Sequence, residues 1–61
     1  MNEIKQNTFA AACYEQNSIE ELQEATTGVP DKTDMEIWGI TADEWRAEIA
    51  LALAEKLNDA Q

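Results

Sequence analysis

The chain has 61 residues and carries 13 acidic side chains against four basic ones, which gives a net charge of −9. This charge repels nucleic acid and anionic membranes, so we expect direct binding to neither. The single cysteine and the absence of histidine exclude an internal disulfide and the usual metal and general-base sites. We therefore expect no catalytic residues, no cofactor, no bound metal and no enzymatic activity.

The length and the apolar pattern limit the architecture. A chain of this size forms one small domain, here a single acidic helical domain over residues 1–61. No run approaches the roughly 18 apolar residues of a membrane span, and the N-terminus lacks the pattern of a signal peptide. We expect a cytoplasmic protein with an all-α fold, a small bundle of three to four short helices with a long C-terminal helix.

The first helix is predicted from about Thr8 to Gln16. This stretch contains good helix formers, and Phe9, Ala12 and Cys13 fall on one face. In this alanine-rich setting, Cys13 is predicted to be a buried structural thiol and not a reactive one.

The second helix is predicted from about Ile19 to Thr26. Ser18 is followed three residues later by Glu21, a pair that can cap a helix N-terminus reciprocally. Gly28 can supply the left-handed residue that ends the helix, and Pro30 blocks its continuation.

The third helix is predicted to be little more than one turn, from Asp34 to Trp38. Its start is indicated by Thr33 and Glu36, which repeat the spacing of a capping pair. Trp38 and Trp45 flank the turn that follows. We interpret the two tryptophans as core residues, with the alternative that they form a recognition surface around the turn.

The fourth and longest helix is predicted from Ala42 to about Asp59. Thr41 and Glu44 form the strongest capping pair of the chain, because Ile40 and Trp45 also stand at the positions of a hydrophobic staple. An apolar stripe along this helix is predicted to face the core, and its members are Ala42, Trp45, Ile49, Leu53, Leu57 and Ala60. The large core side chains of the whole chain are predicted to be Phe9, Ile19, Leu22, Ile37, Trp38, Trp45, Ile49, Leu53 and Leu57.

Three further apolar residues of the fourth helix, Ala47, Leu51 and Ala54, fall outside that stripe. Small residues around a leucine allow another helix to approach closely, so this apolar shoulder is a candidate self-association surface. A small core without a disulfide or metal is only marginally stable, which favours a homodimer. The alternative is that the alanines only favour helix and Leu51 is a single exposed leucine.

Acidic residues fall on one side of the fourth helix, and we call Glu48, Glu55 and Asp59 the acidic row. Glu20 and Glu24 of the second helix are candidates to extend it. Like charges four residues apart cost an isolated helix roughly 0.2–0.5 kcal/mol per pair. Because Glu20/Glu24 and Glu55/Asp59 work slightly against stability, we interpret these residues as a surface that binds a partner.

Two functions fit these patterns. The first is a small acidic protein-binding module, an inhibitor or regulator that docks its acidic surface on a basic, nucleic-acid-binding partner protein in the manner of a DNA mimic. The alternative is a structural or assembly module that homodimerises through its long C-terminal helix, with acidity serving only solubility. Salt separates the two, because only the first predicts binding that weakens steeply as ionic strength rises.

Overall fold

The computed structural model describes residues 7–60, and over that range the chain forms four α-helices. They are α1 (Phe9–Gln16), α2 (Ile19–Thr27), α3 (Lys32–Trp38) and α4 (Ala42–Asp59). The predicted all-α bundle with a long C-terminal helix is confirmed. No helix in this range is both long and apolar enough to cross a membrane. Residues 1–6 and 61, and with them the expectation about the N-terminus, lie outside the described part.

Reciprocal caps begin α2 and α4, as the sequence predicts. Ser18 Oγ accepts from the Glu21 N–H at 3.2 Å, and Glu21 Oε1 accepts from the Ser18 N–H at 2.7 Å. The same pair of bonds joins Thr41 and Glu44, at 3.2 and 2.9 Å. Each cap satisfies amides that a helix N-terminus otherwise leaves without partners, which is worth about 1 kcal/mol.

The start of α3 differs from the prediction. The cap is Asp31, whose Oδ1 accepts from the N–H groups of Thr33 and Asp34 at 2.8 and 3.3 Å, so α3 begins at Lys32. A carboxylate at this position accepts two amides and also interacts favourably with the positive end of the helix. The predicted cap at Thr33 is therefore wrong. At the other end, Gly39 has a left-handed φ of 63° that terminates α3.

The end of α2 also differs from the prediction. Gly28 has a φ of −92° and an extended backbone, so it is not the left-handed residue that was expected. Instead, the Thr26 and Thr27 hydroxyls donate to the carbonyls of Gln23 and Glu24, at 2.7 and 2.9 Å. These bonds compete locally with continuation of the helix.

Both α1 and α2 pack on α4, and α3 makes less extensive contact near the start of α4. The Phe9 ring lies 6.0 Å from those of Trp38 and Trp45, which ties the beginnings of α1 and α4 to the end of α3. At its other end, α1 contacts the last turn of α4 through Tyr14 and Asp59. The first and fourth helices therefore run side by side in the same direction.

The core is small and is centred on the first three turns of α4. Its buried residues are Phe9, Ala10, Cys13, Leu22, Trp45, Ile49 and Ala52. Leu53, Met35, Ile40, Tyr14 and Ala25 pack against this cluster while remaining partly exposed. Ala52 has no exposed surface. Its burial was not predicted, because the stripe predicted from the sequence is centred too far around α4, on the side of Leu57.

Several predicted core residues lie outside the core. Leu57 is 40% exposed, and Ala42 and Ala60 at the two ends of the stripe are exposed. Leu57 stands two residues from Asp59, or about 200° around α4, and so lies away from the flank that Tyr14 contacts. Ile37 is 70% exposed, because Asp34, Met35 and Trp38 hold the inward side of α3. Ile19 is half-buried, and Trp38, which is 37% exposed, also lies outside the buried core.

Candidate functional site

The acidic row of α4 runs along the flank on which α1 packs. Glu48 and Glu55 are half-buried, and Asp59 is exposed. The Tyr14 hydroxyl of α1 donates to Asp59 Oδ2, and this bond, together with the nearby charge of Glu55, raises the pKa of Tyr14. The row is therefore less open to solvent than helical periodicity predicts, because α1 covers part of that side.

The basic residue closest to the row in sequence, Lys56, forms no ion pair with the acidic residues of the row. Lys56 Nζ donates to the Tyr14 carbonyl oxygen at 2.6 Å and lies 5.0 Å from the centroid of the Tyr14 ring. That carbonyl belongs to the last turn of α1, where helix carbonyls lack partners within the helix and attract cations. Lys56 thus stabilises the junction of α1 and α4 instead of pairing with Glu55 or Asp59.

The two acidic candidates on α2 form a separate surface. Glu20 and Glu24 are exposed. Each stands two residues from the buried Leu22, or about 200° around the helix, so both project away from α4. The structure does not place them in one continuous row with Glu48, Glu55 and Asp59.

The apolar shoulder of α4 is shallow. Ala47 and Ala54 are exposed, and Leu51 between them is half-buried. Because Leu51 already contributes part of its surface to the monomer, only a limited apolar area is left for a second copy. Self-association through this surface stays a prediction.

An open pocket lies between α1 and α2, and the sequence pattern does not predict it. Its volume is about 460 Å³, within the roughly 300–1,000 Å³ of typical ligand sites. The apolar and aromatic residues that line it are Phe9, Ala12, Cys13, Leu22, Ala25, Trp38, Trp45 and Ile49. The polar residues at its edges are Gln16, Asn17, Glu21 and Asp34. We call this cavity the α1–α2 pocket.

Two carboxylates line this pocket, and Asp34 is the one whose side chain does not cap a helix. It is half-buried, and its Oδ2 accepts from Trp45 Nε1–H at 3.4 Å. The other carboxylate of the lining, Glu21, uses Oε1 for the cap of α2. A bond of 3.4 Å is longer than an ordinary N–H···O bond, so Trp45 engages Asp34 Oδ2 only weakly.

Cys13 forms part of the pocket wall, and its surroundings disfavour the reactive thiolate form. Burial, followed by the charges of Asp34 and Glu48, raises the pKa of the Cys13 thiol to about 11. The thiol therefore stays protonated near neutral pH, and only the thiolate is reactive. The expected buried, structural cysteine is consistent with its 4% exposure. Two carboxylates, Asp34 and Glu48, therefore lie close enough for their charge to act on this wall.

Two surfaces are therefore candidate binding sites: an acidic row beside α1 and an aromatic pocket with a carboxylate at its edge. Acidic side chains predominate in both, since Glu48, Glu55 and Asp59 form the row and Glu21 and Asp34 line the pocket. Comparison of the chain with protein-family models, curated proteins and solved structures gave no match.

Proposed function

We propose that this chain is a small, non-enzymatic acidic protein-binding module, an inhibitor or regulator that docks its acidic surface on a basic, nucleic-acid-binding partner in the manner of a DNA mimic. The observation that carries the proposal is the hydrogen bond of Lys56 to α1. Its ammonium group donates to the Tyr14 carbonyl, and Glu55 and Asp59 form no ion pair with a basic side chain of α4. A surface serving only solubility has no need to segregate its charges in this way.

The geometry of the row supports the same proposal. Glu48 and Glu55 stand about 10 Å apart along the axis of α4, and Glu55 and Asp59 about 6 Å apart. Arg46 is the remaining basic residue of α4, and it lies about 200° around the helix from Glu48. A rigid helix thus presents one flank on which negative charges recur at fixed intervals. The phosphate charges that a basic groove contacts along a nucleic-acid backbone also recur at regular intervals.

The proposal is tested by capture of proteins from the source cell on the immobilised chain at low and at high ionic strength. We expect a basic protein to be retained at low salt and released at high salt, since pairing between exposed charges is screened within about 10 Å at 0.1 M salt. Duplex DNA added to the captured protein should displace it, because both ligands would occupy the same basic surface.

Two results would contradict the proposal. One is a partner whose retention does not change with salt and which DNA fails to displace. The other is recovery of the chain itself as its main partner, with sedimentation showing a salt-insensitive dimer. The second result, if abolished by Leu51→Glu, would instead support the assembly module.

A further inference from the structure

The α1–α2 pocket combines aromatic walls with a negative edge, and this combination specifies a ligand chemistry. We propose that the pocket binds an arginine side chain of the basic partner, with the guanidinium group on Asp34 and its plane against Trp38. The identification of the donor as the partner protein rests on the function proposed above. The recognition chemistry rests on the pocket alone.

Charge complementarity selects a cation over a neutral side chain. Asp34 and Glu21 line the pocket, and Glu48 lies close enough for its charge to act on Cys13 in the pocket wall. None of the lining residues is basic. A neutral side chain would leave the half-buried Asp34 carboxylate less well solvated and without compensation, whereas a cation gains from the same charge.

The aromatic walls favour guanidinium over ammonium. Phe9, Trp38 and Trp45 all line the pocket, and Trp38 is 37% exposed, so an indole surface is accessible to a ligand. A guanidinium group is planar, weakly hydrated and able to stack on aromatic faces, whereas an ammonium group is compact and strongly hydrated. Arginine and tryptophan are also the side chains that most often dominate binding energy in protein interfaces.

Asp34 is positioned to accept from such a group. Its Oδ2 receives only the long bond from Trp45 Nε1–H, and none of residues 7–60 donates to its Oδ1. A carboxylate with free accepting capacity matches the paired N–H groups of a guanidinium edge. The alkyl stem of the arginine would contact the apolar residues of the floor, among them Leu22 and Ile49.

The test is a nuclear magnetic resonance titration of the intact protein with capped tripeptides. The probe is Ala-Arg-Ala, and the comparison peptides carry citrulline or lysine in place of arginine. Citrulline has the shape of arginine without its charge, and lysine has the charge without the planar group. The indole N–H signals of Trp38 and Trp45 report the pocket, with a Trp38→Phe variant to assign them.

We expect both indole signals to shift saturably with the arginine peptide, with a dissociation constant of about 1 mM at low salt. The citrulline peptide should bind at least about tenfold more weakly and the lysine peptide about threefold more weakly. Asp34→Asn keeps the size of the side chain and an acceptor for Trp45, and should weaken the arginine peptide about tenfold. The matched control Asp43→Asn removes an equal charge from an exposed position outside the pocket lining and should change binding less than twofold.

Three results would overturn the proposal: no saturable shift, equal binding of the citrulline peptide, or equal weakening by Asp34→Asn and Asp43→Asn. A Glu55→Gln, Asp59→Asn double variant separates this proposal from the proposed function, because it neutralises the row and leaves the pocket lining unchanged. If it still binds the arginine peptide but no longer captures the partner, the row and the pocket act as separate sites. If the peptide fails to bind and capture still depends on the row, only the pocket proposal is wrong.

Discussion

Replacement of Trp45 by alanine is expected to leave the chain unfolded at room temperature. Trp45 is 5% exposed and packs against Phe9 in the centre of the core. Truncation of a buried aromatic residue to alanine costs about 3–5 kcal/mol. A single core in a chain of this size supplies a net stability of only about 3–5 kcal/mol. The loss is therefore comparable to the whole free energy of unfolding.

Far-ultraviolet circular dichroism measures this result directly. The Trp45→Ala variant should lose the helical spectrum and the cooperative thermal transition. Trp38→Ala is the matched control, because the same side chain is removed from a position that is 37% exposed, and it should retain both. A Trp45→Ala protein that melts cooperatively near the temperature of the unmodified chain would show that the core is not centred on Trp45.

The second large effect is expected from Ala52→Leu. Ala52 has no exposed surface and belongs to the buried cluster, so a larger side chain at this position must push apart the helices that pack on α4. Overpacking of this kind costs about 1–3 kcal/mol. Ala50→Leu adds the same atoms to the same helix at an exposed position and should change stability by less than about 0.5 kcal/mol.

Urea denaturation of the two variants provides the comparison. The unfolding midpoint of Ala52→Leu should fall clearly below that of the unmodified chain, while the midpoint of Ala50→Leu should stay close to it. Equal midpoints would mean that the site at Ala52 can expand without cost, and that the buried face of α4 is not where the structure places it.

The fold was predictable because its determinants are local. Ser18 and Thr41 each have a glutamate three residues later, which predicts a helix start. Both capping pairs are present as predicted. The error at Thr33 has the same local origin, because Asp31 caps the helix two residues earlier by accepting from the amides of Thr33 and Asp34. Sequence spacing alone does not rank two neighbouring caps.

The core could be predicted only in part, since burial depends on what covers a helix. Trp45 and Ile49 are buried as predicted, but periodicity alone extended the stripe to Leu57. α1 and α2 are about 12–14 Å long and α4 about 27 Å, so they cannot cover all of it. Which part of α4 the shorter helices cover depends on tertiary packing. The burial of Ala52 instead of Leu57 depends on it too.

The candidate site shows the same limit. The acidic residues of the row were identified from helical spacing, but their relation to Tyr14 joins residues 45 positions apart in the chain. The α1–α2 pocket arises because both helices pack on α4 with space between them, and its lining comes from all four helices. No spacing of residues within one helix could have indicated it.

The measurement that tests the account most directly is a paired determination of stability and partner binding for the variant Glu48→Gln, Glu55→Gln, Asp59→Asn. Asparagine at position 59 keeps an acceptor for the Tyr14 hydroxyl, so the contact between α1 and α4 is retained. The control variant Asp31→Asn, Glu36→Gln, Asp43→Asn removes the same charge from exposed positions outside the row, and asparagine still caps α3.

If the row serves binding and not folding, neutralising it should leave the melting temperature unchanged or slightly higher, because repulsion between like charges is relieved. Binding to the captured basic partner should weaken by at least about tenfold and its dependence on salt should flatten, whereas the control variant should bind within about threefold of the unmodified chain. If the row variant binds as tightly as the unmodified chain, with the same dependence on salt, the acidic row is not the surface that recognises the partner.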